Sequence, residues 1–394
     1  MPSTPLDELT RRIHTLKQKM EESSIDACLM VQKTDVFYFS GTGQDAHLVV
    51  PLQGEPVLFV RRSIERAYED SPLPNIVPAA SFFQIKDEIP KVCHGDLRRM
   101  GLELDVLPVN NYRIYEELFP ETAFVDASRI IRETRMKKSP YEIGLIKKAA
   151  EMNDGLFRSV KEYLREGISE IEFSGILEAH YRKHGHQGLV RVRSFNQEVF
   201  YGHVMSGSNL AVPSCSVGPT GGPGAHALFP QGAGKKIIGR NEPIQIDYVG
   251  VFEGYLVDQA RTFFLGEPAR EFLSAHGLAL AIQDAIVQES GIGKSTEYLY
   301  DIAISMAREA GRLEGFLGYP VPVPFVGHGV GLELDELPIV GKKSPYVLEE
   351  GMVIALEPKF IFPSKGLAGI ENTFVMTAGR LEKLTCFDDN IQVL

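Results

Sequence analysis

Two aspartates in neighbouring strand-like segments restrict the possible folds of this chain more than any other feature. Asp247 lies in the alternating segment 244–249, Asp258 ends the apolar segment 254–258, and Glu253-Gly254 between them predicts a two-residue hairpin turn. The register of such a hairpin places both carboxylates on one face, directly opposed or one diagonal step apart. Carboxylates this close repel each other unless they are protonated or bind cations. Two solvated aspartates near a turn are the alternative, but apolar neighbours flank both residues.

Three further polar residues lie in apolar surroundings and could join such a site. His328 stands between Gly327 and Gly329, which let a backbone or a ligand approach closely. Glu357 follows a buried-type apolar run, and Glu371 has similar neighbours. A buried acid is costly unless it is paired or binds a metal. Taken singly, a core histidine and two buried salt bridges explain these residues as well as a metal site does.

Composition excludes several classes of partner. The net charge of −11 repels phosphate backbones and anionic lipid, so neither nucleic acid nor a membrane is an expected partner. The four cysteines form no CxxC pair, which argues against a disulfide framework or a thiolate zinc site and favours the cytoplasm. Residues 1–20 lack the apolar segment of a signal peptide, and the chain has no run of about 18 apolar residues that could span a membrane.

The length of 394 residues predicts two domains. Apolar residues at helical spacing predict an opening helix, and strand-like and helix-like segments then alternate to about residue 125, as in a small α/β domain. Basic residues at 129–138 are interpreted as a solvated stretch at the boundary. Directly after it, Ser139 and Glu142 form a predicted capping box with Pro140 at the first helical position, and Ser169 begins a second one.

The five candidate residues, in their order along the chain, resemble the pita-bread metallohydrolases, which include Xaa-Pro aminopeptidases, prolidases and creatinases. The surrounding sequence strengthens the resemblance and extends it to the N-terminal part of the chain. The matching strings are VFYFSGTG (36–43), KSPYEIGLIKKAA (138–150), IDYVGVFEGYLVDQARTF (246–263), GHGVGLELDELP (327–338), GMVIALEP (351–358) and GIENTFVMT (369–377).

This resemblance implies an α+β fold. A pita-bread catalytic domain would cover residues 140–394, and a smaller creatinase-type α/β domain would cover residues 1–130. The resemblance also implies a homodimer that hydrolyses a short peptide or a small amide.

The resemblance further implies two divalent ions per chain. Asp258 and Glu371 would bridge both ions, Asp247 would hold one, and His328 with Glu357 would hold the other. Glu357 would also shuttle protons. Ligands rich in oxygen, with one imidazole and no thiolate, suit manganese first and also cobalt, zinc or iron.

The sequence departs from the Xaa-Pro peptidases at the residues that contact substrate. Asp335 stands where the family has a second histidine, Pro324 replaces another, and Ser214 stands at the spacing of a third. His226 or His203 could supply the missing imidazole. These changes leave open a creatinase-like C–N hydrolase of a small non-peptide metabolite, and a catalytically silent peptide-binding module is a second alternative.

Two other motifs carry weaker hypotheses. His180 and His184 lie one helical turn apart, but no glutamate follows the first histidine as in HExxH, so a solvated helix end is favoured. The glycine-rich segment 218–224 lacks the Lys-Ser/Thr of a phosphate loop and is expected to line the substrate entrance.

Overall fold

The structure is a computed structural model that describes residues 4–215 and 217–394. The chain divides into two compact units, Met1–Arg135 and Met136–Leu394. Within the described residues, every helix is too short or too polar to cross a lipid bilayer.

The first unit has one mixed sheet with helices between its strands, which confirms the predicted α/β organisation. The helices are α1 (Leu6–Glu22), α2 (Lys33–Ser40), α3 (Ile64–Asp70), α4 (Phe82–Val92), α5 (Val109–Leu118) and α6 (Ser128–Met136). The strands are β1 (Ala27–Met30), β2 (Ala46–Pro51), β3 (Val57–Val60), β4 (Ile76–Pro78), β5 (Arg99–Leu102) and β6 (Ala123–Asp126).

The sheet of the first unit has the order β4-β3-β2-β1-β5-β6. Strand β2 pairs antiparallel with both β1 and β3, whereas the outer pairs β3–β4 and β5–β6, and the pair β1–β5, are parallel. Buried apolar residues of the central strands pack against α4 and α5 and form the core of the unit. The opening helix α1 buries Leu9, Leu16 and Met20, as the helical spacing predicts.

The second unit combines antiparallel sheets with four long helices. The helices are α7 (Pro140–Tyr163), α8 (Glu170–Lys183), α9 (Arg270–Glu289) and α10 (Thr296–Glu309), and a 3₁₀ turn covers Gly207–Ala211. The strands are β7 (Gly202–Ser206), β8 (Ile244–Phe252), β9 (Tyr255–Phe264), β10 (Phe325–Gly329), β11 (Glu336–Gly341), β12 (Val353–Leu356), β13 (Lys359–Phe362), β14 (Gly366–Gly369), β15 (Asn372–Met376), β16 (Leu381–Lys383) and β17 (Gln392–Val393).

The strands of the second unit form three sheets. Their orders are β17-β9-β8-β7, β11-β10-β12-β15-β16 and β13-β14. Ala260 and Glu371 exchange a pair of backbone hydrogen bonds, which join β9 to the segment that leads into β15. The helices cover the sheets with apolar faces, α7 and α8 on β8 and β9, and α9 and α10 on β12 and β15. The bridged strands thereby hold side chains from distant parts of the chain close together.

Helix α7 begins as the sequence predicts. Ser139 accepts a hydrogen bond from the Glu142 N–H, and the Glu142 carboxylate accepts one from the Ser139 N–H, so the capping box is complete. Ser169 likewise caps α8 by accepting from the Glu172 N–H. The predicted second capping box is wrong in its other half, because the Glu172 carboxylate lies 3.5 Å from Arg165 and does not return to the Ser169 N–H.

The interpretation of residues 129–138 as a solvated stretch is wrong for two of its basic residues. Arg135 is buried and lies 2.6 Å from Asp35 within the first unit. Lys138 is buried and lies 3.1 Å from Glu336 within the second. Each buried cation therefore has an acidic partner that is far away in sequence, which composition alone does not reveal.

Candidate metal centre

The hairpin β8–β9 forms with the predicted turn. Phe252 pairs with Tyr255, and Glu253 and Gly254 both have positive φ angles, 47° and 87°, as the favoured two-residue turn requires. Asp258 consequently pairs with Val249, one diagonal step from Asp247. The two carboxylates share one face of the sheet, as the spacing predicts.

His328 lies on β10, between β11 and β12, and its ring is buried. The flanking glycines make room for the neighbouring strands. A Cβ at Gly327 would lie 2.3 Å from the Ala355 carbonyl oxygen, and one at Gly329 would lie 2.3 Å from the Leu337 carbonyl oxygen. These glycines therefore allow close strand packing, which fixes the position of the imidazole between them.

The two glutamates reach the same place from other strand ends. Glu357 follows β12, and its N–H donates to the Val326 carbonyl. Glu371 precedes β15 and is held by its bridge to Ala260. All five candidate residues line a single cavity of about 140 Å³: Asp247, Asp258, His328, Glu357 and Glu371. The structure thus brings together every residue that the sequence suggested as a metal ligand.

Three carboxylates surround the Nε2 atom of His328. The oxygen atoms are Asp258 Oδ2 at 3.9 Å, Glu357 Oε1 at 3.9 Å and Glu371 Oε1 at 3.7 Å. Ligand atoms that share one metal at about 2.0–2.2 Å are separated by similar distances. Asp258 Oδ1 and Glu371 Oε1 are buried and have no hydrogen-bond partner among the described atoms. Because buried polar atoms are normally paired, these two oxygens fit the coordination of a divalent ion.

Lys359 is the residue that the sequence analysis missed. Its ammonium lies 2.6 Å from Asp247 Oδ2, 3.0 Å from Glu357 Oε2 and 2.8 Å from Glu371 Oε2. A signal was present in the sequence, since residues two apart in extended backbone share a face and Lys359 follows Glu357 by two.

Burial and charge act on these carboxyl groups in opposite directions. Burial raises the pKa of Glu357 to about 8 and that of Asp247 to about 6, although Lys359 lowers both. Burial and the neighbouring Glu371 also raise the pKa of Asp258. At Glu371, Lys359 and His328 outweigh the effect of burial and hold the pKa at about 2. Without a metal, part of this cluster therefore retains protons at neutral pH, and metal binding would release them.

Comparison with known proteins agrees with this arrangement. The chain matches metallopeptidase family M24 over residues 144–378 and the creatinase/prolidase N-terminal domain over residues 12–137. The chain belongs to metallopeptidase family M24. It is therefore a metal-dependent peptide hydrolase that binds divalent metal, with the two-domain pita-bread architecture that the resemblance implies.

Relatives of this M24 chain match it along almost its whole length. The Xaa-Pro dipeptidase of Pyrococcus horikoshii is 28% identical over 383 residues, which are 96% of this chain and 98% of the relative. The prolidase structure from P. horikoshii OT3 has a TM-score of 0.80 at 25% identity and covers 96% of this chain and 98% of that one. A Xaa-Pro dipeptidase structure from Bacillus anthracis has a TM-score of 0.83 at 24% identity, covers 98% and 100%, and shows the same fold.

The two histidines that could contact substrate in this M24 domain lie in different places. His203 pairs with Asp247 across β7 and β8 and lines the cavity. Burial lowers its pKa to about 4, so its imidazole is neutral. His226 is exposed, and its Nδ1 accepts a hydrogen bond from the Leu228 N–H. Among the described residues that line the cavity, His203 is present and His226 is not.

Asp335 also lines the cavity, close to His328. Its Oδ1 lies 3.5 Å from His328 Nδ1, the ring nitrogen that faces away from the carboxylates. The same Nδ1 lies 3.2 Å from the Gly329 carbonyl oxygen. A carboxylate beside the outer nitrogen of a metal-binding histidine commonly fixes the tautomer of the ring. Asp335 therefore faces both the cavity and His328.

The weaker motifs lie where the sequence analysis expects. His180 and His184 stack on each other near the end of α8, with ring centroids 4.2 Å apart, and His184 Nδ1 is 2.8 Å from the His180 carbonyl oxygen. Gly218, Pro219 and Thr220 line the cavity. The glycine-rich segment thus contributes to the walls of the candidate site.

Proposed function

We propose that this enzyme hydrolyses short peptides in the manner of a Xaa-Pro dipeptidase or aminopeptidase and uses Mn²⁺ as its metal. The observation that carries the proposal is the set of three carboxylates around His328 Nε2, together with two buried oxygens of that set, Asp258 Oδ1 and Glu371 Oε1, that have no hydrogen-bond partner among the described atoms. Asp258, His328, Glu357 and Glu371 would hold the ion. The relatives named Xaa-Pro dipeptidase, matched along their whole length, support the substrate class.

A divalent ion held by these residues would lower the pKa of a coordinated water and polarise a carbonyl group. Glu357 lines the cavity with Oε1 3.9 Å from His328 Nε2, so its carboxylate, once metal binding has released its proton, could accept a proton from the attacking water. The water oxygen adds to the carbonyl carbon, the C–N bond breaks, and Glu357 returns the proton to the leaving nitrogen. The neutral imidazole of His203 lies on the cavity wall and could donate a hydrogen bond to the substrate carbonyl.

Asp335 supports a second candidate, the C–N hydrolysis of a small non-peptide amide. An ionised carboxylate only accepts hydrogen bonds, so it cannot replace a histidine that donates to a substrate carbonyl. It would instead recognise a positively charged group on the substrate. A silent binding module is disfavoured, because a peptide groove has no need of three buried acids around one histidine.

Two further features belong to the proposal. The enzyme would form a homodimer, as the resemblance to the creatinase-type N-terminal domain implies. It would work in the cytoplasm, which is supported by the four cysteines, all of them free thiols.

An activity screen tests the proposal. The protein is stripped with a chelator, reloaded with Mn²⁺, Co²⁺ or Zn²⁺, and assayed against Xaa-Pro dipeptides, other dipeptides, tripeptides and small amides. We expect metal-dependent release of proline or of another amino acid. Cleavage of small amides alone would favour the second candidate, and metal binding without turnover of any substrate would contradict both.

A further inference from the structure

A lysine occupies one side of the carboxylate cluster. The ammonium of Lys359 binds one oxygen each from Asp247, Glu357 and Glu371, at 2.6, 3.0 and 2.8 Å. The side chain is 1% exposed. Three charge-assisted hydrogen bonds use all three donors of an ammonium group, so its bonding is complete without any contribution from water.

Two of the glutamates contact Lys359 with one carboxylate oxygen and face His328 with the other. Glu357 and Glu371 turn Oε2 toward Lys359 and Oε1 toward His328 Nε2. Asp258 faces His328, and no hydrogen bond joins it to Lys359 among the described residues. Asp247, in contrast to Asp258, accepts a hydrogen bond from Lys359 through its Oδ2 atom. The compact group that could hold an ion consists of Asp258, His328 and Glu371, and Glu357 Oε1 lies 3.9 Å from His328 Nε2 beside it.

The stem of Lys359 is fixed by its neighbour across the hairpin β13–β14. Lys359 pairs with Gly369. A Cβ at Gly369 would lie 2.7 Å from Lys359 Cα and 2.8 Å from its Cγ. Only a residue without a side chain at position 369 leaves space for the lysine stem, so the ammonium is held at the carboxylates by packing as well as by charge.

We propose that Lys359 takes the place of one of the two cations that the resemblance to the family implies, and that this centre binds a single divalent ion beside His328. A second ion held by Asp247, Asp258 and Glu371, as the resemblance implies, would compete with the ammonium for Asp247 Oδ2 and Glu371 Oε2. Two cations on the same oxygens repel strongly in a buried site. The inference concerns the ion of the proposed function and rests on that function for its catalytic meaning.

Metal counting tests the inference without any measurement of activity. Chelator-stripped protein is reloaded with excess Mn²⁺, desalted and subjected to elemental analysis. We expect one ion per chain in the wild type and in Lys359→Arg, which keeps the charge. Lys359→Ala removes the ammonium and should bind two ions per chain. The matched control Lys365→Ala removes an exposed lysine of the turn between β13 and β14 and should retain one.

Electron paramagnetic resonance of the same samples gives a second readout, which decides the matter even if Lys359→Ala fails to fold. The wild type should show isolated Mn²⁺, and Lys359→Ala should show a pair of exchange-coupled ions. Two ions in the wild type, or one ion in a folded Lys359→Ala, would overturn the inference. A single bound ion without turnover of any peptide or amide would leave the inference intact and contradict the proposed function instead.

Discussion

Strand β9 carries a buried acid, Asp258, on one face and a buried arginine, Arg261, on the other, and the two side chains differ in how completely they are hydrogen-bonded. All three guanidinium nitrogens of Arg261 are hydrogen-bonded, to carbonyl oxygens and to the side chains of Asn372 and Asp389. Asp258, three residues earlier, leaves Oδ1 buried and without a partner among the described atoms. The buried charge of Arg261 has all its nitrogens hydrogen-bonded, as expected of a residue that stabilises the fold. The buried Asp258 has an oxygen without a hydrogen-bond partner, as expected of a residue that binds a ligand.

The largest effect is expected on metal binding, from a substitution of Asp258. Asp258→Asn keeps the shape but removes the negative charge, so metal affinity should fall by more than about 100-fold, beyond what loss of an outer partner of a ligand costs. Hydrolysis should be lost with the metal. Elemental analysis and the melting temperature are the measurements, and a folded Asp258→Asn that retains full metal content would show that Asp258 is not a ligand.

A substitution of the fully hydrogen-bonded Arg261 should lower the stability of the fold and leave metal binding unchanged. Arg261→Met leaves Asp389 and several buried carbonyls without their donor, which should lower the free energy of unfolding by about 3–5 kcal/mol. The protein that remains folded should bind as much metal per chain as the wild type. Chemical denaturation combined with metal analysis measures both quantities, and a stable Arg261→Met that has lost its metal would erase the distinction between the two faces.

The pH dependence of the metal-free protein is the next effect in size. The pKa of Glu357 is raised by burial from 4.5 to about 8, so its contribution to stability is complete below about pH 4.5 and is lost as the pH rises through 8. Between pH 6 and 8 this amounts to about 2 kcal/mol. The metal-free form should therefore melt lower at pH 8 than at pH 6, and the gain on adding Mn²⁺ should be larger at pH 8. If Mn²⁺ raised the melting temperature equally at both pH values, these carboxyl groups would not retain protons in the metal-free protein.

The smallest expected effect concerns Asp335. A histidine there could donate a hydrogen bond toward the substrate, so Asp335→His should raise kcat/KM on Xaa-Pro dipeptides by about tenfold, less than the roughly 100- to 1000-fold that one optimally placed donor contributes. The variant should still bind its metal when Mn²⁺ is in excess, because Asp335 contacts the outer nitrogen of His328 and not Nε2, although loss of this partner should weaken the metal affinity by about 10- to 100-fold. Steady-state kinetics and elemental analysis of both proteins test this. Wild-type turnover of Xaa-Pro dipeptides at about 10 per second or more would show that Asp335 is no handicap.

Local patterns and the resemblance to a family predicted much of this molecule. The turn at Glu253-Gly254 determines the register of the hairpin, and that register determines the relative position of Asp247 and Asp258. The cap at Ser139 also depends only on residues three apart. The five ligand candidates could be identified only as a set, because their order along the chain and the strings around them resemble the family, whereas each one singly also fits a buried salt bridge or a core histidine.

Partners that are distant in sequence could not be predicted in the same way. Arg135 pairs with Asp35 across 100 residues, and Lys138 pairs with Glu336 across 198. The choice between His203 and His226 depended on the pairing of β7 with β8, which nothing in their local sequence specifies. Lys359 was overlooked because a lysine after a glutamate is usually solvated, and only the assembled strands bring its ammonium to three acids.

Anomalous diffraction from crystals grown with Mn²⁺ tests the account most directly. We predict one strong peak per chain, within about 2.0–2.3 Å of His328 Nε2 and of carboxylate oxygens from Asp258, Glu357 and Glu371. Lys359 should remain bonded to Asp247 on the other side of the cluster. A peak bound to Asp247 in place of the Lys359 ammonium, or no peak at His328, would contradict the account.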